Sequence, residues 1–280
     1  MQVLDARICE LGEGPLWHPL QQRWYWFDIL NSRLLGQDDA GEYLWQFDEM
    51  VSAAGWIDKT HLVVASETQL FKFNTATGEQ AHLHSLEADN NITRSNDGRA
   101  DPWGGFWIGT MGKNAESGAG AIYRYYAGQL RQLYSDITIS NAICFAHDQS
   151  CAYFTDTPTK QIMRQPLDKE GWPTGTATVW VDLTATEYNP DGAVVDADNH
   201  LWNAQWGASR VARYNPRGEF VEAVSIGASQ TSCPAFGGAA YAQMLVTTAA
   251  EGLGAEDPLA GQTFITPCSA TGRAEYQVKI

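Results

Sequence analysis

With 280 residues, 44% of them hydrophobic and including 11 Trp, 11 Tyr and 10 Phe, the chain can bury a sizeable core and is too apolar to be a disordered polypeptide. Its 33 acidic against 18 basic residues give a formal charge of −15, which repels phosphate backbones and anionic lipid, so neither nucleic acid nor a membrane is an expected partner. Neutral polyols meet no such barrier, whereas a strongly anionic ligand needs local arginine or a metal.

The N-terminal stretch MQVLDARICELGEGP lacks a basic segment followed by an apolar one, and no run of about 18 apolar residues follows anywhere, which leads to the expectation of a cytoplasmic protein. From there a short aromatic or apolar strand, followed by a second strand and a turn, recurs six times. The copies read WYWFDILNSRLLGQD, HLVVASETQLFKFNTATGE, GGFWIGTMG with AIYRYYAGQ, CAYFTDTPTKQIMRQPLDKEG, NHLWNAQWGASRVARYNPRGE and YAQMLVTTA. Anchored on Tyr25, Val63, Trp107, Tyr153, Trp202 and Leu245, successive copies are 38, 44, 46, 49 and 43 residues apart. A period of about 40 to 50 residues with several strands per copy predicts an all-β, six-bladed β-propeller, one domain spanning residues 1–280. Each blade must then cover its neighbour's faces around a central channel.

Within the third copy, GTMGKNAESGAGAIYRY is a long Gly-rich connection of the kind that forms binding loops. The C-terminal TFITPCSATGRAEYQVKI is expected to supply strands that close a blade together with residues near the N-terminus, leaving no open edge. Cys9, Cys144, Cys151, Cys233 and Cys268 are odd in number and form no CxxC pair, which predicts reduced thiols.

Four polar segments stand just before or between strands: GEGPLW (Gly12 to Trp17), RSNDG (Arg94 to Gly98), SNAI (Ser140 to Ile143) and NPDG (Asn189 to Gly192). Each alone is an ordinary turn sequence. In a propeller, equivalent loops converge on one mouth. Together with their surroundings, GEGPLWHP, RSNDGRADPWGGFWIGTM, ISNAICFAHDQSCAYFTDT, NPDGAVVDADNHLWNAQWGASRVARYNPRGE and SCPAFGG, they resemble the senescence marker protein 30/gluconolactonase family of regucalcin-like lactonases, in the family's order and over nearly the whole chain.

The resemblance implies a divalent metal in the central channel and hydrolysis of a sugar lactone to the aldonic acid. The family's metal-binding residues fall on Glu13, Asn141 and Asp191, with Asp191 also the expected general base. Its substrate contacts fall on Arg94, Asn96, Asp97 and Glu116. Two carboxylates and one amide suit a hard cation such as Ca²⁺, Mg²⁺ or Mn²⁺, with Zn²⁺ and Fe²⁺ also open. Arg94 would offer directed donors to lactone or hydroxyl oxygens. The family's S-N-G reads Ser140-Asn141-Ala142 here, so a left-handed backbone at that position would be strained by a methyl group.

Other constellations are weaker. His82 and His84 alternate on one strand without further ligand spacing, and Ser95 and Ser140 lack a GxSxG elbow and a histidine partner. Trp103, Trp107, Trp202 and Trp206 are expected to fill inter-blade cores, with Trp206 also placed to reach the channel mouth. The leading expectation is therefore a metal-dependent carboxylic ester hydrolase acting on a sugar lactone, as a monomer or weak homo-oligomer. The alternative is a calcium-binding regulatory protein of the regucalcin type without significant catalysis. Which sugar is accepted is left open by the residues.

Overall fold

The computed structural model describes all 280 residues as six four-stranded antiparallel sheets. Blade 1 comprises Gly12–His18, Arg23–Asp28, Arg33–Asp38 and Gly41–Gln46, and blade 2 comprises Val51–Trp56, His61–Ser66, Gln69–Asn74 and Gln80–Ser85. Blade 3 comprises Thr93–Ala100, Phe106–Gly112, Gly120–Tyr126 and Gln129–Ile137, and blade 4 Ser140–Phe145, Cys151–Asp156, Gln161–Pro166 and Thr178–Asp182. Blade 5 comprises Asn189–Val195, Leu201–Trp206, Arg210–Tyr214 and Phe220–Ser225. Blade 6 runs Thr231–Gly237, Gln243–Thr248 and Thr263–Pro267, and its outermost strand is Gln2–Asp5 from the other end of the chain. The fold is the expected six-bladed β-propeller, and the six anchor residues all fall on the second strand of their blade.

Strand periodicity explains the packing. Successive side chains point to opposite faces. In Arg23–Asp28, Tyr25 and Phe27 therefore turn toward blade 2, while Trp24 and Trp26 turn toward blade 6. The buried apolar residues form six clusters, one between each pair of neighbouring blades. Second strands are buried on both faces, and fourth strands such as Gly41–Gln46 are largely exposed. All five cysteines are free thiols. No helix is long and apolar enough to cross a membrane.

The chain closes as expected at the N-terminal strand, but the C-terminal segment is divided differently. Only Thr263–Pro267 is a strand, the third of blade 6, and residues 268–280 form none. SATGR breaks the period-two alternation that a strand needs. The segment instead runs as a strap around one mouth of the channel. Ala197 of blade 5 donates to the Thr271 carbonyl at 2.9 Å, Arg273 meets His147 of blade 4, and Val278 donates to the Trp56 carbonyl of blade 2 at 2.9 Å.

Every innermost strand breaks register along its run, in blades 2 and 6 at its very start. The irregularities lie between Glu13/Leu16, Val51/Ala53, Ser95/Gly98, Asn141/Cys144, Pro190/Ala193 and Thr231/Cys233. Such bulges re-aim side chains that a regular strand would direct elsewhere. The four polar segments sit at four of these breaks, all toward the mouth opposite the strap.

Candidate metal and substrate site

In blade 1 the bulge places Gly14 at φ +53°, where a Cβ would lie 2.3 Å from the Ser52 carbonyl oxygen, so glycine is required and its neighbour Glu13 is directed inward. The Gly14 amide donates to Glu13 Oε2 at 2.9 Å. Ala142 occupies the corresponding left-handed conformation in blade 4, at φ +56°, and accepts the steric cost of its methyl. In blade 5, Asn203 Nδ2 donates to the carbonyls of Asp191 and Gly192 at 2.8 and 3.2 Å, securing the bulge that carries Asp191.

These strands bring Glu13, Arg94, Asn96, Asn141 and Asp191 to one cavity of about 440 Å³. Leu11, Leu30, Met111, Ile139 and Trp206 form its apolar wall, and Lys113, Asn114, Ala115, Thr157 and Glu251 complete it. Hydrogen bonds join three blades through its floor. Arg94 Nη1 donates to Asn96 Oδ1 at 2.7 Å, and Asn96 Nδ2 donates to Asn141 Oδ1 at 3.2 Å and to the Ser140 carbonyl at 2.8 Å. Asn141 Nδ2 donates to Thr157 Oγ1 at 3.0 Å, whose hydroxyl donates to the Pro190 carbonyl at 2.8 Å. With its amide nitrogen occupied by Thr157, Asn141 turns its oxygen inward.

The site carries more buried negative charge than it neutralises. Asp191 is pushed well above the carboxylate range by burial first, then by the charges of Glu13 and Asp97. Glu13 is raised by burial and by Asp97. The only guanidinium in the cavity wall, Arg94, is 5% exposed, lacks a carboxylate partner, and is brought down to about 10 by burial. Its Nε has no hydrogen-bond partner. Two hard carboxylates and an amide oxygen in one cavity are a donor set that fits a hard divalent cation.

Two residues expected beside a ligand lie off the cavity wall. Asp97 points beneath the floor, where its Oδ2 accepts the Ile143 amide at 2.7 Å; burial raises its carboxyl to about 6, opposed by Arg99 and that amide. Glu116 folds onto its own loop and accepts from the Asn114 backbone and side-chain amides, both at 3.0 Å. That loop, flagged by its glycines, nevertheless reaches the cavity through Lys113 to Ala115. Lys113 is ion-paired with Glu67. Thr157 carried no sequence signal, because its hydroxyl becomes relevant only once blades 4 and 5 are adjacent. His82 is exposed and His84 half-buried, and they bond to Gln69 and Ser85 rather than to a common centre. Ser95 Oγ meets Ser52 Oγ at 2.7 Å and no histidine.

The six-bladed ring thus gathers buried carboxylate, amide and guanidinium groups in one partly apolar cavity, the kind of concave setting in which small ligands bind. The chain belongs to the SMP-30/Gluconolactonase/LRE-like family, whose model matches residues 11–250. It is 41% identical over 98% of its length to the "Putative sugar lactone lactonase" of Rhizobium meliloti (strain 1021), covering 95% of that protein. It is 32% identical over 95% of its length to the 6-deoxy-6-sulfogluconolactonase of Pseudomonas putida, covering 94% of that protein. The crystal structure of a calcium-binding protein, regucalcin, from Agrobacterium tumefaciens str. C58 superposes with a TM-score of 0.97 at 39% identity, over 99% of this chain and 97% of the other.

Proposed function

We propose that the chain hydrolyses a sugar lactone to its aldonic acid with the help of one divalent cation. The observation that carries this reading is the coincidence, in one cavity, of two uncompensated buried carboxylates, an inward amide oxygen and a buried guanidinium with no carboxylate partner. Sugar-lactone activities named for relatives at 41% and 32% identity support it.

Glu13, Asn141 and Asp191 would hold the cation, which when bound supplies Lewis acidity toward the lactone carbonyl and toward water. Water adds to the carbonyl carbon, the ring C–O bond breaks, and the departing ring oxygen takes up a proton. Asp191 is the group placed to accept the proton from water and return it to that oxygen. Arg94 has donors free of protein partners and presents them to the lactone or hydroxyl oxygens, while Asn96 holds Arg94 Nη1 in place. Trp206 and Met111 offer apolar surface against the carbon face of a ring. The loop from Lys113 to Ala115 closes the rim, and Glu116 shapes that loop through its bonds to Asn114.

A calcium-regulatory role without catalysis is not favoured. Curated regucalcins stand at 27% identity, against 41% and 32% for the curated relatives named for sugar lactones. The test is acid release from a panel of aldonolactones by protein stripped with a chelator and then reloaded. Hydrolysis lost on stripping and recovered on reloading supports the reading. A reloaded protein that leaves every lactone intact overturns it.

A further inference from the structure

Below the cavity floor, Arg99 stands in the channel, 8% exposed, two residues beyond Asp97 on the same inner strand of blade 3. Its guanidinium reaches three places. Nε donates to the Ile143 carbonyl of blade 4 at 3.2 Å, Nη2 donates to the Ala193 carbonyl of blade 5 at 3.0 Å, and Nη1 pairs with Glu275 of the C-terminal strap. Ile143 and Ala193 each lie two residues beyond a candidate ligand, Asn141 and Asp191. Ile143 lies inside the break in register, so the ladder does not bond it regularly, and its amide goes instead to Asp97 Oδ2. Blade 3 thus grips both backbone groups of Ile143. The strap end of the system is itself fixed, because Trp56 Nε1 donates to the Glu275 carbonyl at 2.8 Å.

We propose that Arg99 is a positioning residue for the cation site: anchored by Glu275, it sets the spacing between the backbone that carries Asn141 and the backbone that carries Asp191. This rests on the reading of those two residues as cation ligands. The planar fork of a guanidinium reaches three separated acceptors from three nitrogens, a spread that the single nitrogen of a lysine cannot span. Groups that orient metal ligands typically change affinity by about 10- to 100-fold when removed.

Direction separates this role from simple electrostatics. Loss of a positive charge under a carboxylate cluster by itself tightens cation binding. Loss of a clamp weakens it. The experiment is calorimetric titration of the full chain with Ca²⁺ alone and with Mn²⁺ alone, for the wild type, Arg99→Gln, Arg99→Lys and Glu275→Gln, each checked by far-UV circular dichroism. Expected is a cation Kd raised about 10- to 100-fold in Arg99→Gln and raised also in Arg99→Lys, where the charge is kept. An unchanged or lower Kd in Arg99→Gln overturns the proposal. Should that variant not fold, wild-type affinity in Arg99→Lys overturns it, and weakened affinity in Arg99→Lys, where no charge is lost, supports it. A wild type that binds neither ion removes the cation site and the clamp together. One that binds them but hydrolyses no lactone removes only the enzymatic reading.

Discussion

The Glu13 carboxyl of blade 1 and the Asp191 carboxyl of blade 5 share one buried cavity, and the charge of Glu13 is, after burial, the largest influence holding Asp191 above its ordinary range. Holding two carboxyl groups side by side out of water carries a cost that folding alone does not repay. Such an arrangement separates function from stability.

Asp191→Asn keeps nearly the same volume and removes one of the repelling charges. Lactone turnover should fall by about 10²- to 10⁴-fold, the range for loss of a positioned proton acceptor. The melting temperature of the chelated protein should hold or rise. Acid-release kinetics at saturating cation and a thermal melt in chelator check the two halves. Wild-type turnover in the variant would remove Asp191 from the chemistry.

Arg94→Lys should lower kcat/KM by about tenfold or more, because hydrogen bonds from charged donors are worth about 1.5–3 kcal/mol and an ammonium cannot reproduce their directions. The loss should differ between lactones that differ in hydroxyl pattern. Equal kinetics across the panel would show that Arg94 meets no substrate atom.

Ala142 combines a left-handed backbone with complete burial between blades 4 and 5. Ala142→Gly relieves about 1–2 kcal/mol of steric cost, but loses about 0.8 kcal/mol of methyl burial and adds about 0.5–1 kcal/mol of unfolded-state entropy. The change in stability from denaturant unfolding should therefore lie within about 1 kcal/mol of zero. Ala142→Val adds a branched side chain to the same conformation and should destabilise clearly. A valine variant as stable as wild type would contradict the conformation assigned here.

His18 is fully buried, and burial lowers its pKa below 6.5. One ring nitrogen, Nε2, faces the Asp58 carbonyl at 3.0 Å, and the Gln21 amide donates to the other, Nδ1, at 3.3 Å. The folded state therefore keeps the ring neutral, with its proton on Nε2. Below pH 6.5 the unfolded chain binds a proton that the folded one refuses, so the contribution of His18 is full above that pH and declines as pH falls through it. Denaturant unfolding between pH 8 and pH 5 should show a steeper loss for wild type than for His18→Gln. Identical pH profiles would show that His18 titrates alike in both states.

Much of the architecture was legible in the amino-acid order. The recurrence anchored on Tyr25, Val63, Trp107, Tyr153, Trp202 and Leu245 is local information: each copy encodes a strand buried on both faces, and a strand with two apolar faces requires a neighbour on each side. Polar side chains interrupting the start of an inner strand, as at Glu13, Asn141 and Asp191, are likewise visible in single segments. Only ring closure put those segments at one mouth, because their convergence depends on contacts between residues far apart in the chain. Side-chain direction at the breaks in register was also beyond local reading. A shift of one residue decides whether a group enters the cavity, as Asn96 does, or drops beneath it, as Asp97 does. The strap and its bond from Glu275 to Arg99 belong to the tertiary structure alone: residues 274–280 alternate apolar and polar as a strand would, yet form none, and their path follows from the backbone and side-chain groups that the finished ring presents at its second mouth.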